Sequence, residues 1–278
     1  MIQLRSAILA AAGAVCVITA SVQGQISLPI IEDFDYATGA LVGETYAPGS
    51  VWTIQDAGGG TNPFQVAAGS LAYGGSGVPA SSGNSVPVRD NGEDVRLEFA
   101  NTVVGDGNSI YYSFLVSHDG SDLGSAAGDY FFSLAVAGGD FNLRSRVFAG
   151  SDSGAIRLGI RFTTGGSTSF ITGKNLAANT PAFVVGKLTQ VAGADNDTTA
   201  LYVFTGATAV PALEPGAPDA LSTNPTAGSD IDAGVFRVIL RQGSGPNQPT
   251  VRIDEIRLGA TWSQVTQTLA PVESWSLM

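Results

Sequence analysis

Short runs in which apolar and polar residues alternate recur along most of this chain, and they constrain its fold more than any other feature. In the run 156–162 every second residue is Ile, Leu, Ile or Phe, and Arg157 and Arg161 stand between them. The run 109–117 has the same period. Successive side chains of a β-strand point to opposite faces, so a period of two gives one buried and one solvated face. The pattern therefore predicts strands that each cover one side of a core.

Turn-forming residues separate these runs, because glycine, asparagine and aspartate recur between them, as at 105–108 and 195–197. A short helical turn is predicted at 262–265, and the segment 206–233, rich in Pro, Ala, Gly and Asp, is predicted to be a long surface excursion. The runs predict strands at 64–66, 71–73, 95–99, 110–116, 130–136, 156–162, 182–191, 200–204, 236–240 and 251–258. About a dozen antiparallel strands predict an all-β fold, a two-sheet antiparallel jelly-roll sandwich.

The first 24 residues have the three-part pattern of an export signal. Arg5 precedes an apolar stretch at 7–20, and small or polar residues lead to Gly24, after which we expect cleavage. The stretch is shorter than the about 20 apolar residues that span a bilayer. Cys16, the one cysteine, lies in this leader, so the mature fold depends on its apolar core and not on disulfides. We expect a secreted protein, extracellular or periplasmic.

Charge limits the class of partner, since the chain has 13 basic and 24 acidic residues and a net charge of −11. Nucleic acid is disfavoured as a partner, because its binding depends on phosphate neutralisation by Lys and Arg. No second apolar segment of membrane length follows the leader, so no membrane span is expected in the mature chain. The sequence predicts a signal peptide at 1–24, one β-sandwich domain at 25–270 and a C-terminal tail at 271–278.

The two ends of the predicted domain carry a resemblance to a known group. The motifs Glu-Asp-Phe at 32–34, Leu-Val-Gly at 41–43 and Val-Trp at 51–52 resemble the opening of a group of bacterial secreted proteins. The run 253–262 resembles their closing strand. That group is similar to the concanavalin A-like lectin/glucanase superfamily, which includes laminin G-type domains. Over 31–265 the resemblance implies two packed antiparallel sheets whose first and last strands lie side by side, and a lectin-like protein.

Paired carboxylates are the first catalytic feature to seek, because glycoside hydrolysis needs two of them flanking the scissile bond. The resemblance implies acids spaced as Glu-x-Asp-x-x-Glu or Glu-x-Asp-x-Glu on one strand, and the chain has no such run. Asp33 and Asp35 share a face, whereas Asp254 and Glu255 are adjacent and point to opposite faces of a regular strand. His118, the single histidine, is expected in a turn. The sequence therefore predicts no catalytic residue.

The last strand contains an irregularity. Its apolar positions change face between Ile253 and Ile256, unless one extra residue is inserted near Asp254 or Glu255. A β-bulge there would restore the register and turn an acidic side chain in a new direction. That carboxylate then either accepts hydrogen bonds from backbone amides of the first strand, or joins Asp33 in a structural calcium site. Asp33 and Asp254 are the candidate calcium ligands, because hard cations take oxygen ligands.

Arginines form the most suggestive binding feature of this acidic chain. Arg144 and Arg146 alternate with other residues before a glycine-rich turn, and Arg157 and Arg161 do so after it. If the two runs pair as a hairpin, four guanidinium groups and Phe148 share one face. Guanidinium groups suit carboxylate or sulfate, and an aromatic ring stacks on a sugar. This face either binds an acidic or neutral polysaccharide, or is an ordinary solvated sheet face on which arginine stems cover apolar surface.

Three functions agree with these observations. The preferred one is a non-catalytic extracellular module for carbohydrate binding or cell-envelope adhesion, with a polysaccharide or cell-envelope glycan as partner. The second is an extracellular glycan-active hydrolase or lyase whose acids come from separate strands. The third is a structural surface protein, which needs no chemistry of its own.

Overall fold

Two antiparallel sheets of seven strands each form the protein in a computed structural model. The structure describes residues 27–47, 49–56, 62–243 and 246–267. The predicted signal peptide at 1–24, with Cys16, and the predicted tail at 271–278 lie outside these ranges.

The strands follow the alternating runs of the sequence. In chain order they are β1 (Ile30–Glu32), β2 (Gly39–Ala40), β3 (Thr45–Ala47), β4 (Ser50–Val51), β5 (Thr53–Asp56), β6 (Gln65–Val66), β7 (Val86–Val88), β8 (Asp94–Thr102), β9 (Ser109–Ser117), β10 (Asp129–Val136), β11 (Leu143–Asp152), β12 (Ala155–Arg161), β13 (Ser169–Phe170), β14 (Ala182–Thr189), β15 (Thr198–Phe204), β16 (Ala220–Thr223), β17 (Val235–Arg241) and β18 (Val251–Gly259), and the helix α1 (Trp262–Thr266) follows them.

The first sheet has the strand order β1-β18-β9-β14-β15-β16, and β7 pairs with β18 beside β1. The second sheet has the order β13-β12-β11-β10-β17-β8-β5, and two small sheets pair β2 with β6 and β3 with β4. From β7 onward the chain crosses between the large sheets at β7 to β8, β8 to β9, β9 to β10, β13 to β14, β16 to β17 and β17 to β18, so early and late strands are neighbours in both sheets. Ile30 of β1 lies opposite Leu258 of β18, as the resemblance implies for the first and last strands. The predicted all-β, two-sheet antiparallel jelly-roll sandwich is confirmed.

The core lies between the inner faces of the two sheets. Tyr112 and Phe114 of β9 meet Phe132 of β10, with ring centroids 4.8 Å and 5.0 Å apart. Trp52 and Phe34 stack at 6.0 Å at one end of the sandwich. All five side chains are fully buried. Large rings contribute much of the hydrophobic free energy of a core, which explains how the fold persists without a disulfide in the predicted mature chain.

Three local predictions can be compared with the strands. The prediction of a strand at 71–73 is wrong. Leu71 packs on the outer face of the first sheet, and residues 71–73 form no β-strand. Within the expected surface excursion at 206–233, β16 pairs with β15 and extends the first sheet. The helical turn expected at 262–265 is confirmed as α1. No helix within the described ranges is long and apolar enough to cross a membrane.

Candidate functional site

The two arginine-bearing runs pair as the predicted hairpin. β11 and β12 are antiparallel, with Asp152 opposite Ala155 at the turn and Arg146 directly opposite Arg161. Phe148 lies opposite Gly159 between these positions. The hairpin belongs to the second sheet, so its outer side chains lie on that sheet's outer face.

Arg144 does not share this face, which corrects the expectation that four guanidinium groups lie together. Ser145 adopts a left-handed conformation with φ of 52°, and the register of β10 with β11 shifts here, as in a β-bulge. The Ser145 hydroxyl is therefore buried against Tyr112 and Thr199 of the first sheet, at 2.8 Å and 2.6 Å. Arg144 is itself buried and donates its Nε to the carbonyl of Ser229. Its role is to hold the loop at 229.

Arg146 and Arg161 of the hairpin join a stack of cations and rings that crosses four neighbouring strands. We call it the arginine–aromatic ladder, and its members are Arg161 (β12), Phe148 and Arg146 (β11), Tyr130 (β10) and Arg241 (β17). The guanidinium carbons of Arg161 and Arg146 lie 4.5 Å and 5.6 Å from the ring centroid of Phe148. Those of Arg146 and Arg241 lie 3.8 Å and 4.4 Å from that of Tyr130. Each such contact contributes about 0.5–2 kcal/mol and holds the planar groups in place.

Arg157 lies beside the ladder on the same sheet. Its guanidinium carbon is 4.3 Å from the ring centroid of Phe170, and its Nη2 donates to the carbonyl of Ala126 at 3.2 Å. Phe170 reaches this position because Gly159 has no side chain, since a Cβ there would lie 2.8 Å from the ring. The alternation of Arg157, Gly159 and Arg161 therefore makes room for an aromatic ring between two cations.

The two outer faces of the sandwich differ in what covers them. On the first sheet, side chains from loops and the helix pack over the strands, among them Leu71, Val210, Trp262 and Val265. On the second sheet, the outer apolar cluster is formed by the strands themselves. Its members are Tyr130, Ala135, Leu143, Phe148 and Ile239, with Phe170 and Phe236 packed against them. Among the described residues, the second sheet therefore presents a more open face, on which arginine side chains form the outer layer.

Acidic side chains neutralise one half of this open face. Arg241 pairs with Asp129 at 2.6 Å and with Asp94 at 3.6 Å. On the same strand Arg237 pairs with Glu98 at 2.6 Å and with Asp140 at 3.0 Å. The half formed by β8 and β17 thus contains its own counter-charges.

The half formed by β11 and β12 differs in this respect. Arg146, Arg157 and Arg161 take part in none of the ion pairs between described residues. Arg146 is only 9% exposed, and its Nε and Nη1 have no hydrogen-bond partner. Arg161 donates Nε and Nη2 to the Thr168 hydroxyl at 3.1 Å and 2.7 Å. A buried cation without a counter-charge is costly, so the positive charge of this half is not balanced by an ion pair between described residues.

A polar cleft of about 320 Å³ opens at the Arg241 end of the ladder. Its walls include Tyr130 and the 62% exposed ring of Phe141. Asp94 and Asp56 lie directly opposite each other on β8 and β5 and also line it. Burial raises the pKa of Asp94 to about 7, against the lowering effect of Arg241. The cleft therefore combines aromatic rings with carboxyl groups from separate strands.

The bulge predicted in the last strand is confirmed. Glu255 has φ of 52°, and the register of β18 with β9 shifts between Asp254 and Arg257. Asp254 accepts hydrogen bonds from the Ser70 hydroxyl at 2.6 Å and the Leu71 amide at 2.7 Å. These donors belong to the segment that covers the first sheet, so the expectation that the first strand supplies them is wrong.

The candidate calcium ligands are likewise engaged by protein donors. Asp33 accepts a hydrogen bond from the Ser82 hydroxyl at 2.7 Å, while Asp254 is held as described above. Among the described residues, no group of three or more His, Cys, Asp or Glu could hold a metal ion. The geometry of these two acids therefore adds no support for a calcium site.

Asp254 predicts a pH dependence of stability. Burial raises its pKa from 3.8 to about 7 although three donors lower it, so the folded state binds this proton more tightly than the unfolded state. The free energy of unfolding should therefore fall by roughly 2 kcal/mol as pH rises from about 5 to about 8. Urea unfolding at each pH measures it. Asp254→Asn should make the slope shallower by the share of Asp254 and leave the share of Asp94, whose pKa burial also raises to about 7. Asp119→Asn, which changes an exposed carboxyl with a lowered pKa, should leave the slope unchanged. Equal slopes in all three proteins would contradict the assignment.

Some residues of the site could not be found from the sequence. Tyr130, Asp94 and Arg241 lie far apart along the chain and meet only because β10, β17 and β8 are neighbours. In the sequence, Tyr130 begins an alternating run, which predicts a strand there but not its neighbours in the sheet. His118, expected in a turn, is instead buried after β9, where its Nε2 lies 2.9 Å from the carbonyl of Leu176.

Fold and site together define an antiparallel two-sheet sandwich with one covered face and one open, arginine-rich face. No family model matches the chain, and no curated protein matches its sequence. Solved structures similar to it include the globular domain of T. cruzi calreticulin, with 12% identity over 85% of this chain and 89% of that domain and a TM-score of 0.48. The SAP-like pentraxin of Limulus polyphemus has 14% identity over 61% and 72% of the two chains, with a TM-score of 0.38.

A further similar structure is the ligand-binding domain of botulinum neurotoxin serotype D, solved in complex with N-acetylneuraminic acid. It has 9% identity over 80% of this chain and 47% of that one, with a TM-score of 0.43. The chain thus spans about half of that toxin domain. The fold assignment depends on the sheet order and strand pairing of the chain itself, given above.

Proposed function

We propose that this protein is a non-catalytic extracellular module of the concanavalin A-like type, which binds a polysaccharide or cell-envelope glycan on the open face of its second sheet. The observation that carries the proposal is the ladder's Arg146, a guanidinium on the outer face of the second sheet that stacks on Tyr130 and Phe148 and takes part in no ion pair between described residues. Its neighbours Arg161 and Phe148 supply a second cation and a ring.

The chemistry of the ladder suits a sugar chain. Rings offer apolar faces, and guanidinium groups donate several hydrogen bonds in a fixed plane. The ladder crosses four neighbouring strands, which at a strand spacing of about 4.8 Å gives a strip of roughly 15 Å. Because the strip belongs to a packed sheet, its side chains lose little entropy on binding a ligand.

Export agrees with a glycan partner outside the cell. The proposed cleavage near Gly24 removes the leader and Cys16 from the mature chain. The remaining surface is acidic overall, so three arginines without ion pairs on one face mark that face as exceptional. Secretion and adhesion to the cell envelope are parts of the same proposal.

Replacement of Arg161 by alanine tests the binding face. The variant should bind the recognised polysaccharide at least about tenfold more weakly, because a hydrogen bond to a charged group contributes about 1.5–3 kcal/mol. The measurement is a titration of purified protein against a panel of neutral and acidic polysaccharides. Arg89→Ala is the matched control, since it removes one positive charge from an exposed arginine at the end of β7. Unchanged binding by Arg161→Ala, or no binding by the wild type, would refute the proposal.

A glycan-active hydrolase is the second candidate, and the cleft favours it. Asp94 and Asp56 come from separate strands and face each other there. A carboxyl with a pKa of about 7 remains partly protonated near neutral pH, as a general acid requires. Reducing sugar released from the same panel decides between the candidates. Release that Asp94→Asn abolishes would favour the hydrolase, and binding without release would favour the non-catalytic module.

A further inference from the structure

We infer that the ligand of this face is an anionic polysaccharide, and that Arg146 and Arg161 together hold one of its oxyanions, the carboxylate of a uronic acid or a sulfate ester. The inference rests on the proposed function and deepens it, since it selects acidic over neutral glycans. Three features of the ladder lead to it: the uneven distribution of counter-charges, the close approach of two cations, and the fixed orientation of their planes.

The acidic side chains that pair with arginines of the second sheet lie on its β8–β17–β10 side and not on β11 or β12. Arg241 and Arg237 on β17 each pair with two carboxylates, whereas Arg146, Arg157 and Arg161 pair with none in the described chain. The whole sequence has 24 acidic residues and only 13 basic ones. Such a composition offers many acids that could have neutralised the hairpin, as they neutralise β17. The unpaired positive charge is therefore confined to the side of the open face formed by β11 and β12.

The two central cations oppose each other across the hairpin. Arg146 and Arg161 are directly opposite in the register of β11 and β12, and both lie against the ring of Phe148. Like charges at directly opposite positions destabilise a pair of strands. Burial lowers the pKa of Arg161 and the positive charge of Arg146 lowers it further, while the negative charge of Asp129 on β10 opposes them without cancelling them. An anion bound between them would relieve this repulsion, whereas a neutral sugar would leave it in place.

The guanidinium planes are held before any ligand binds. Two donors of Arg161 engage the Thr168 hydroxyl, and stacking on Tyr130 and Phe148 orients Arg146. Planar guanidinium groups match the spacing of two oxygens in a carboxylate or sulfate, and charge-assisted hydrogen bonds are about twice as strong as neutral ones. Thr168 and the rings are uncharged, and Asp129, whose negative charge acts on Arg161, is already paired with Arg241. The geometry thus selects for an oxyanion rather than a hydroxyl group.

Two pairs of polysaccharides, each differing only in charge, test this inference. Polygalacturonic acid is compared with its methyl ester, and dextran sulfate with dextran, in titrations of the purified full-length protein. The wild type should bind at least one acidic polysaccharide at least about tenfold more tightly than its neutral counterpart. That difference should decrease between about 50 mM and about 500 mM salt, because salt screens charge. Preference for the first pair identifies a carboxylate, and preference for the second a sulfate ester.

Variants assign the preference to the two arginines. Arg161→Ala and Arg146→Gln should both reduce binding of the acidic polysaccharide to the level of its neutral counterpart, and Arg89→Ala should retain the difference. Because Arg146 is buried, unfolding of each variant is measured alongside, and the half-buried Arg161 supplies the test if Arg146→Gln does not fold. Equal binding of acidic and neutral polysaccharides would overturn this inference while leaving the proposed function intact. Binding of neither pair would overturn both.

Discussion

Gly186→Ala is expected to destabilise the protein by about 3 kcal/mol or more, at the upper end of the effects of overpacking. Gly186 lies in β14 directly opposite Tyr112 of β9, and the Tyr112 ring lies over it. A Cβ at this position would be 1.8 Å from Cζ of that ring and 2.3 Å from its hydroxyl oxygen. Tyr112 cannot move aside, because it is fully buried and is hydrogen bonded to the Ser145 hydroxyl of the facing sheet. Urea unfolding of both proteins measures the loss.

Gly216→Ala is the matched control, because the exposed Gly216 has no neighbour within 4 Å of a Cβ and has no strained φ. Its free energy of unfolding should change by less than about 0.5 kcal/mol. Tyr112→Leu, introduced together with Gly186→Ala, should lose less stability than the two single variants combined, because the smaller side chain leaves room for the methyl group. Similar stabilities of Gly186→Ala and Gly216→Ala would show that the ring does not lie where the structure places it.

Glu32→Ala is expected to lower the free energy of unfolding by about 2–6 kcal/mol, because it removes a buried acceptor that serves several donors. Glu32 is 2% exposed and joins its own segment, 32–36, to Trp52. It accepts hydrogen bonds from the Phe34 amide, the Tyr36 hydroxyl and the Trp52 indole, at 2.7 Å, 2.7 Å and 2.9 Å. Alanine would leave the Phe34 and Trp52 donors buried without an acceptor, and each unsatisfied group costs about 1–3 kcal/mol. Thermal and urea unfolding give the difference.

Tyr36→Phe is the appropriate comparison for this site. It removes one of the three donors and keeps the carboxylate, so a loss of about 1 kcal/mol is expected. Tyr36 is half-buried, so its ring can remain in place. If Glu32→Ala cost no more than Tyr36→Phe, the carboxylate would not be what joins β1 to Trp52.

The closing strand shows how far a pattern of residues can be followed. The change of face between Ile253 and Ile256 predicted a bulge, and the bulge is present at Asp254 and Glu255. The partner of the re-aimed carboxylate was predicted in the first strand, but it lies at Ser70 and Leu71. Alternation reports which side a residue faces, while the identity of its neighbour depends on a loop whose path has no periodic signal.

The hairpin of the second sheet was likewise predicted only in part. Pairing of the two arginine runs followed from alternation and the glycine-rich turn between them. The position of Arg144 on the other face could not be predicted in this way, because no change in the alternation of apolar residues marks the bulge at Ser145. At that bulge the Ser145 hydroxyl contacts Tyr112 and Thr199 of the opposite sheet, which lie far from it in the sequence.

The sequence alone determined that this chain makes alternating strands, two packed antiparallel sheets and an arginine-bearing hairpin, because a period of two is a local property of the backbone. Only the tertiary structure decided which outer face is covered, where the bulges lie, and which residues complete the ladder. Tyr130 and Arg241 join that ladder through strand neighbours more than a hundred residues apart in the chain. Such contacts depend on how the sheets pack and how the loops close. The free energies of these steps come from residues far apart in the sequence, so no short stretch of residues determines them.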